Sequence, residues 1–211
     1  MNIFKLIFDR TILNVSPKNT FICFGKIKQS KIKIKGEKNS VFVHKNVKIR
    51  NCEIIVNGCK NTIVFHENCD INNSRIFVDN VGGNVTIGRD TSIGGAMIVS
   101  FEPYDISIGD DCMLSYGIEI RNTDSHKITS LDNGDWINKG KEVYIGDHVW
   151  ISADCKILKG SYIDKNSVIG ANSLVSGAIP SNVIAIGQPA KIIKDNISWN
   201  RESVIPKDES Y

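Results

Sequence analysis

Aliphatic residues recur every six positions in the second half of the chain. They are Ile145, Ile151, Ile157, Ile163, Ile169 and Val175, and four residues after each of the first five stands a smaller residue: Val149, Cys155, Ser161, Ser167 and Ser173. A period of six is neither the helical 3.6 nor the strand period of 2. It is typical of a solenoid in which each unit contributes one short strand and one tight corner. The pattern predicts an all-β, parallel β-helix with a narrow triangular core.

The same pattern appears in pieces upstream. An aliphatic-x-Ile-Gly tetrad occupies residues 85–88, 106–109 and 143–146, and the glycine suits a sharp corner. Before residue 85 apolar positions still alternate with polar, Asn-rich turns, without a regular beat of six. We therefore predict irregular coils over residues 1–84, continuous with the solenoid, a regular β-helix over residues 85–188, and a C-terminal helix or tail over residues 189–211.

Both ends of the chain predict short helices. Met1 to Leu13 has one apolar face, which favours an amphipathic helix that caps the open end of the solenoid. After Pro189, the segment from Ala190 to Glu202 is predicted to form a terminal helix. Charged residues interrupt the N-terminal apolar run, and no apolar stretch is long enough to cross a bilayer. These features predict a cytoplasmic protein without a transmembrane segment.

One stretch, residues 121–142, lacks the six-residue beat. The simplest interpretation is a loop that projects from the solenoid wall, and long loops in compact repeats usually carry function. It contains His126, whose imidazole can accept a proton from an alcohol. Asp124, two residues earlier, either fixes the tautomer of that ring or stabilises the turn. Outside the loop, Trp150 is predicted to point outward, where a loop, a neighbouring subunit or a ligand would cover it.

Charge and cysteine content narrow the alternatives. The chain has 211 residues and a net charge of +3, but nine Lys or Arg lie between Lys26 and Arg50 against one acid, Glu37. Two interpretations stay open: a solvated strand face, or a track for a polyanion. No stacking aromatics are interleaved with these charges and no known binding motif appears, so nucleic acid is not a predicted partner. The six cysteines form no C-x-x-C pair and are predicted to be reduced and mostly buried.

The motifs together resemble those of the left-handed β-helix, hexapeptide-repeat acetyltransferases, over roughly residues 85–194. The matching elements are Asp124-x-His126, residues 143–151, residues 168–175, Ile179-Pro180 and residues 187–193. The 24-residue step from His126 to Trp150 is similar to that of bacterial capsule O-acetyltransferases, including those that act on sialic acid polymers. The resemblance implies a homotrimer that binds acetyl-CoA in grooves between neighbouring β-helices.

The resemblance also implies roles for individual residues. His126 matches the general base that deprotonates the acceptor hydroxyl, so that the oxygen attacks the thioester without an acyl-enzyme. Trp150 matches a tryptophan near the thioester sulfur. Cofactor-binding positions along the pantetheine and near the nucleotide phosphates match Ala153, Ala171, Ser176, Lys191 and Lys194.

Three functions are weighed on this basis. The first is O-acetyl transfer to a hydroxyl of a bacterial surface glycan (capsule, O-antigen or a sialic acid-type acceptor), and the basic segment suits an anionic acceptor. The alternative is an N-acetyltransferase acting on an amino sugar or a xenobiotic. A zinc enzyme on the same fold needs three convergent histidines, but the chain has only four, and none is expected to form a close pair on neighbouring coils. No metal is therefore predicted.

Overall fold

The fold is a three-sided prism of parallel strands. The computed structural model describes residues 9–202, which form 25 strands in three sheets. Successive strands pass from sheet 1 to sheet 2 to sheet 3 and then back to sheet 1 one coil further on, and all pairings from β1 to β24 are parallel. This architecture confirms the predicted parallel β-helix.

The strands have the following bounds. Sheet 1 contains β1 (Ile12–Val15), β4 (Lys31–Ile34), β7 (Glu53–Cys59), β10 (Arg75–Val81), β13 (Ala96–Ser100), β16 (Ile118–Arg121), β19 (Lys156–Ile157) and β22 (Leu174–Val175). Sheet 2 contains β2 (Thr20–Cys23), β5 (Ser40–Val43), β8 (Thr62–Phe65), β11 (Asn84–Ile87), β14 (Ile106–Ile108), β17 (Val143–Ile145), β20 (Tyr162–Ile163) and β23 (Ala178–Ile179). Sheet 3 contains β3 (Lys26–Lys28), β6 (Lys48–Arg50), β9 (Asp70–Asn72), β12 (Ser92–Ile93), β15 (Met113–Leu114), β18 (Trp150–Ile151), β21 (Val168–Ile169), β24 (Ile184–Gly187) and β25 (Ala190–Lys194).

Coil length changes along the prism. Ile54 pairs with Ile76 and then with Ile98, so these coils advance 22 residues, whereas Ile157 pairs with Val175 after only 18. The 22-residue spacing continues to Ile120, so the shorter coils begin after the loop rather than at residue 85. Eighteen residues are three units of six, which explains why the six-residue beat is visible only in the last coils.

The core is a stack of mostly aliphatic side chains, to which the two-residue strands contribute one or two residues each and many longer strands two. All six residues of the six-residue series are buried, each at most 1 % exposed. Burying an isoleucine stabilises the fold by about 1.5–3 kcal/mol. Because each inward side chain rests on an equivalent one in the next coil, the stacking continues from Ile27 to Ala185.

The corners carry their own vertical series. At the corner between sheets 2 and 3, one residue per coil takes a left-handed backbone conformation, which asparagine and aspartate adopt more readily than other non-glycine residues. The members of this column are Asn46, Asn68, Asp90, Asp111, His148, Asn166 and Asn182. The column places His148 directly above Asp111.

A ladder of buried asparagines follows the corner between sheets 1 and 2. The Asn39 Oδ1 accepts hydrogen bonds from the backbone N–H and the side-chain amide of Asn61, each at 3.0 Å. Further along, the Asn122 amide donates to Ser100 Oγ at 3.1 Å and to the carbonyls of Glu102 and Tyr104 at 2.9 and 2.7 Å. Such side chains satisfy backbone groups that the wide corner leaves without ladder partners.

The predictions of a helix at each end of the chain have different outcomes. The predicted C-terminal helix is wrong: Ala190–Lys194 is strand β25, antiparallel to β24, and residues 195–202 have no helical turn. The exposed amide edge of the last coil offers ladder hydrogen bonds that this segment takes up. Most of the predicted N-terminal helix, residues 1–8, lies outside the described residues, and Ile12–Leu13 belongs to β1. Between residues 9 and 202 no helix suited to crossing a lipid bilayer is found.

The six cysteines are all free thiols, as predicted. Four are buried: Cys52, Cys69, Cys112 and Cys155. Burial raises the pKa of the Cys69 and Cys112 thiols to about 12. These cysteines act as small apolar residues in the corners and are poor nucleophiles.

Substitution of Asn61 tests the asparagine ladder. Asn61→Ala removes an amide that is 0 % exposed and leaves the carbonyls of Asn57 and Asn80 without its hydrogen bonds. We expect the free energy of unfolding to fall by about 2–4 kcal/mol, measured by urea denaturation. Asn14→Ala on the exposed side of β1 is the control and should change stability by less than about 0.5 kcal/mol. Equal effects of the two substitutions would show that the ladder adds no stability.

Candidate active site

The projecting loop leaves the prism at the corner between sheets 1 and 2. It connects β16, which ends at Arg121, to β17, which begins at Val143. The Glu102 carboxylate holds both ends of the loop: it accepts hydrogen bonds from Thr123 Oγ1 at 2.8 Å and from the Gly140 N–H at 2.7 Å. The buried Asn122 amide lies directly before the loop. The base of the loop is therefore fixed to the wall.

Asp124 has cationic and amide partners within the same corner. Lys159 Nζ donates to Asp124 Oδ2 at 2.5 Å and to the Asn138 carbonyl at 2.7 Å. The Asn138 amide donates to Asp124 Oδ2 at 2.8 Å and to the His126 carbonyl at 2.9 Å. The Lys159 hydrogen bond lowers the pKa of the Asp124 carboxyl below its usual value. Asp124 thus fixes the shape of the turn that carries His126.

His126 itself is exposed on this turn. Within residues 9–202 its imidazole ring has no hydrogen-bond partner, and the carboxylate of Asp124 is directed to Lys159 and Asn138 instead. Of the two roles that the sequence leaves open for Asp124, the observed contacts are those of turn stabilisation.

The outer part of the loop is apolar and exposed. Ile128, Leu131, Trp136 and Ile137 are 54 %, 102 %, 37 % and 62 % exposed. The Trp136 Nε1 donates to Asn138 Oδ1 at 2.8 Å, so the indole is fixed. Several large exposed apolar side chains on one loop are typical of a surface that contacts another molecule.

Trp150 lies on the outer face of sheet 3, in β18, and it points outward as predicted. It is partly covered by Trp199, whose ring centroid lies 6.0 Å away at an angle of 46°. The cover therefore comes from the C-terminal part of the same chain, which the sequence analysis did not anticipate.

The C-terminal segment, residues 196–201, is named the strap here. Its Trp199 stacks on His148 at 4.1 Å between centroids, and the Trp199 Nε1 donates to the His148 carbonyl at 2.9 Å. Its Arg201 donates to Asp111 Oδ1 at 2.8 Å, to Ser92 Oγ at 2.9 Å and to the Cys112 carbonyl at 2.7 Å. The strap runs over sheet 3 and the neighbouring corner column.

Four residues of this cluster were not predicted as site residues from the sequence: His148, Asp111, Trp199 and Arg201. A signal for the first two exists in the sequence: residues 108–112 and 145–149 align within the repeat, which puts Asp111 and His148 in the same corner slot. No repeat pattern covers Trp199 or Arg201. Their partners are 51 to 111 residues away, so only the folded chain reveals the contacts.

The predicted donor-binding residues lie at three places on the prism. Ala153 and Ala171 lie one coil apart at the corner between sheets 3 and 1. Lys191 and Lys194 are exposed on β25, at the end of sheet 3. Ser176, between β22 and β23, lies instead at the corner between sheets 1 and 2, the corner of the loop.

Within one chain, the structure does not bring the predicted residues at the loop corner together with those on or beside sheet 3. Trp150, Ala153 and Ala171 lie on or beside sheet 3, whereas Asp124, His126 and Ser176 lie at the corner opposite that sheet. The loop remains at its own corner, because its contacts with the wall are made to Glu102 and Lys159. A single prism therefore presents the loop histidine and the wall tryptophan on opposite sides.

The basic segment is divided between two sheets. Lys26, Lys28 and Lys48 are exposed on the outer face of sheet 3, the sheet that also carries Trp150. Lys31 and Lys33 are on sheet 1, where Lys31 pairs with Glu53 at 2.6 Å. With strands about 4.8 Å apart, four steps separate β6 from β18, so Lys48 lies about 20 Å from Trp150 along one face.

Comparison with known proteins places this architecture among characterised ones. Residues 142–177 match the family model "Bacterial transferase hexapeptide (six repeats)". Over 120 residues the chain is 41% identical to a polysialic acid O-acetyltransferase of Neisseria meningitidis, a match that covers 56% of this chain and 56% of that protein. The chain spans about half the length of the curated relatives it matches.

Solved structures match over more of the fold. The structure of the polySia specific acetyltransferase NeuO aligns with 92% of this chain and 84% of its own, with 30% identity and a TM-score of 0.84. That of the polysialic acid O-acetyltransferase OatWY aligns with 92% and 89%, with 33% identity and a TM-score of 0.73. The likeness includes the N-terminal coils as well as the hexapeptide repeats. The chain belongs to the hexapeptide-repeat (left-handed β-helix) acetyltransferase family.

Proposed function

We propose that the protein is an acetyl-CoA-dependent O-acetyltransferase that acts on a hydroxyl of a bacterial surface glycan, with an anionic, sialic acid-type polymer as the favoured acceptor. The observation that carries this proposal is the likeness to two polysialic acid acetyltransferases over 92% of the chain. The exposed loop histidine and the outward Trp150 of sheet 3 support it. The protein would act in the cytoplasm on a polymer or its precursor.

His126 acts as the general base in the proposed reaction. Its neutral imidazole accepts the proton of the acceptor hydroxyl as the oxygen attacks the thioester carbonyl. The C–S bond breaks, the acetyl group forms an ester with the sugar, and the imidazolium returns the proton to the CoA thiolate. Asp124 positions the turn through Lys159 and Asn138, and no acyl-enzyme is formed.

The donor would lie along sheet 3. The short side chains of Ala153 and Ala171 leave room for a pantetheine arm at the adjoining corner, and Trp150 would lie near the thioester. Lys191 and Lys194 supply positive charge at the end of the sheet, which suits the phosphates of CoA. Ser176 would line the groove from the neighbouring copy, because it lies at the loop corner.

The active unit in this proposal is a homotrimer. His126 and Trp150 lie on opposite sides of one prism, so a site that contains both needs the loop of one copy and the wall of another. The exposed apolar loop residues around Trp136 supply a surface for that contact. In a closed ring of three copies, each copy would place its loop against sheet 3 of one neighbour and would receive the loop of the other neighbour on its own sheet 3.

The basic face of sheet 3 supports an extended anionic acceptor. Lys26, Lys28 and Lys48 begin about 20 Å from Trp150 on the same face, a span of several sugar residues. A monosaccharide bound at the reaction centre would not reach them. The arrangement therefore favours a polyanion over a small neutral sugar.

The first test is loss of the proposed base. His126→Ala should lower kcat for acetyl transfer by about 10²–10⁴-fold, because proton transfer in the transition state is lost. The measurement is thiol release from acetyl-CoA with polysialic acid as acceptor. His66→Ala, on the N-terminal coils, should retain full activity. An unchanged rate in His126→Ala would exclude this residue as the base.

The same assay separates the two acceptor classes. Treatment of the product with mild base releases acetate from an ester and leaves an amide intact. Base-stable product, or turnover with amino sugars but not with hydroxyl acceptors, would favour the alternative N-acetyltransferase.

Mixing of two weakly active variants tests whether each site is shared between two copies. His126→Ala and Trp150→Ala homotrimers should each be weakly active, but subunit exchange between them should restore part of the activity, since some sites combine an intact loop with an intact wall. The measurement is thiol release before and after exchange. As a control, mixing His126→Ala with itself should restore nothing. A mixture that stays as inactive as its components argues that each site lies within one copy.

Charge removal tests the acceptor face. The triple variant with Lys26, Lys28 and Lys48 changed to Gln should raise KM for polysialic acid about tenfold at low salt and reduce the salt dependence of KM. The matched triple variant with Lys31, Lys33 and Lys35 changed to Gln removes equal charge around sheet 1 and should have little effect. Equal effects of both variants would show that the basic segment acts only through its total charge and not through lysines at specific positions on sheet 3.

A further inference from the structure

The strap descends along the corner column between sheets 2 and 3. The Ile197 N–H donates to the Asn182 carbonyl at 3.1 Å, Trp199 contacts His148, and Arg201 reaches Asp111 and the Asp90 carbonyl. Residues 197 to 201 thus cross from the last coil to the fourth. The strap covers the edge of the sheet 3 surface on which Trp150 lies.

Among residues 9–202, the His148 ring has two hydrogen-bond acceptors and no donor. Its Nδ1 lies 2.7 Å from Asp111 Oδ2 and its Nε2 lies 3.0 Å from the Trp199 carbonyl oxygen. A carboxylate and a carbonyl can only accept, so both ring nitrogens must carry a proton to make both hydrogen bonds. The imidazolium satisfies this geometry, and a neutral ring satisfies only one of the two contacts.

The contacts around His148 form one connected cluster. Trp199 stacks almost parallel to the ring, with 12° between the planes. Burial tends to raise the pKa of Asp111, but hydrogen bonds from Arg201 and His148 outweigh it and hold that pKa below its usual value. The carboxylate thus stays ionised and bridges the strap to the wall.

We propose that the strap is a positioning element for Trp150, and that the imidazolium of His148 holds the strap in place. Deprotonation of His148 removes either the bond to Asp111 or the bond to the Trp199 carbonyl, and the strap then loosens. Trp199 no longer rests against Trp150, which becomes more mobile. The consequence for catalysis rests on the proposed function, in which Trp150 lies near the thioester.

Several charged residues lie on the elements around His148. They are Asp110 and Asp111 on the coil below, Asp147 beside it, Lys165 on the coil above, and Arg201 on the strap. Asp111 makes the only direct side-chain hydrogen bond to the ring among the described residues.

Fluorine NMR of protein labelled with 5-fluorotryptophan tests this proposal without any catalytic assay. The chain has three tryptophans, so three resonances are expected, each assigned by a Trp→Phe variant. As the pH rises through the range in which histidines titrate, about 5 to 8, the Trp199 and Trp150 resonances should shift together. No pH-dependent shift of the Trp199 resonance would overturn the proposal.

Two variants assign the titration to one ring. His148→Gln cannot take up a proton, so its Trp199 resonance should be independent of pH in this range. His66→Gln, which removes a distant histidine, should titrate as the wild type does. If the transition persists in His148→Gln, another group is responsible and the proposal fails.

An activity measurement separates this inference from the proposed function. His148→Gln should raise KM for acetyl-CoA about three- to tenfold, the loss expected for one hydrogen bond, with a smaller change in kcat. In the wild type KM should rise with pH alongside the fluorine shift, and a KM that does not follow that shift would overturn the catalytic part. Absence of any acetyl-CoA turnover would refute the proposed function, while the fluorine titration would still decide whether His148 holds the strap.

Discussion

Vertical stacking of equivalent residues on successive coils is the constraint on which the rest of this structure depends. Each strand pairs with the strand one coil above and one coil below, so every backbone position has the same neighbours along the axis. An inward slot must then hold an aliphatic residue in coil after coil, and a corner slot must hold a residue that tolerates a left-handed backbone or satisfies buried amides. The isoleucine stack, the column from Asn46 to Asn182 and the ladder from Asn39 to Asn122 are three results of this one rule.

The rigidity of the prism decides what a single chain can bring together. Side chains on one sheet are neighbours over tens of ångströms, whereas side chains on opposite sides do not meet, because a filled core separates them. The loop at one corner is held there by Glu102 and Lys159, so His126 cannot reach the face of Trp150 on its own prism. A site that uses both residues belongs to an assembly, and this is why the proposed activity and the proposed trimer stand together.

The strap breaks the rule of vertical neighbours. It is the C-terminal segment that runs along the axis instead of around it, and it links coils that the ladder connects only step by step. Arg201 and Trp199 cover the edge of sheet 3, and Asp111 and His148 anchor them from two successive corner slots. In a solenoid, whose repeats contact only their neighbours, such a segment couples distant coils to the surface that it covers.

Local pattern was enough to determine the parallel β-helix, the inward residues of the six-residue series, the outward Trp150 and the loop between Arg121 and Val143, because each of these repeats or interrupts a short-range period. The terminal helix predicted from Ala190 was wrong, since the open edge of the last coil imposes strand geometry on β25 whatever its local preference. His148 was not predicted as a site residue, because its partner Trp199 lies 51 residues further along the chain. The tertiary structure alone decided the contacts of the strap, the pairing of Asp124 with Lys159 and the separation of the loop from sheet 3, since these depend on how many coils lie between two residues and on which side of the prism each one faces.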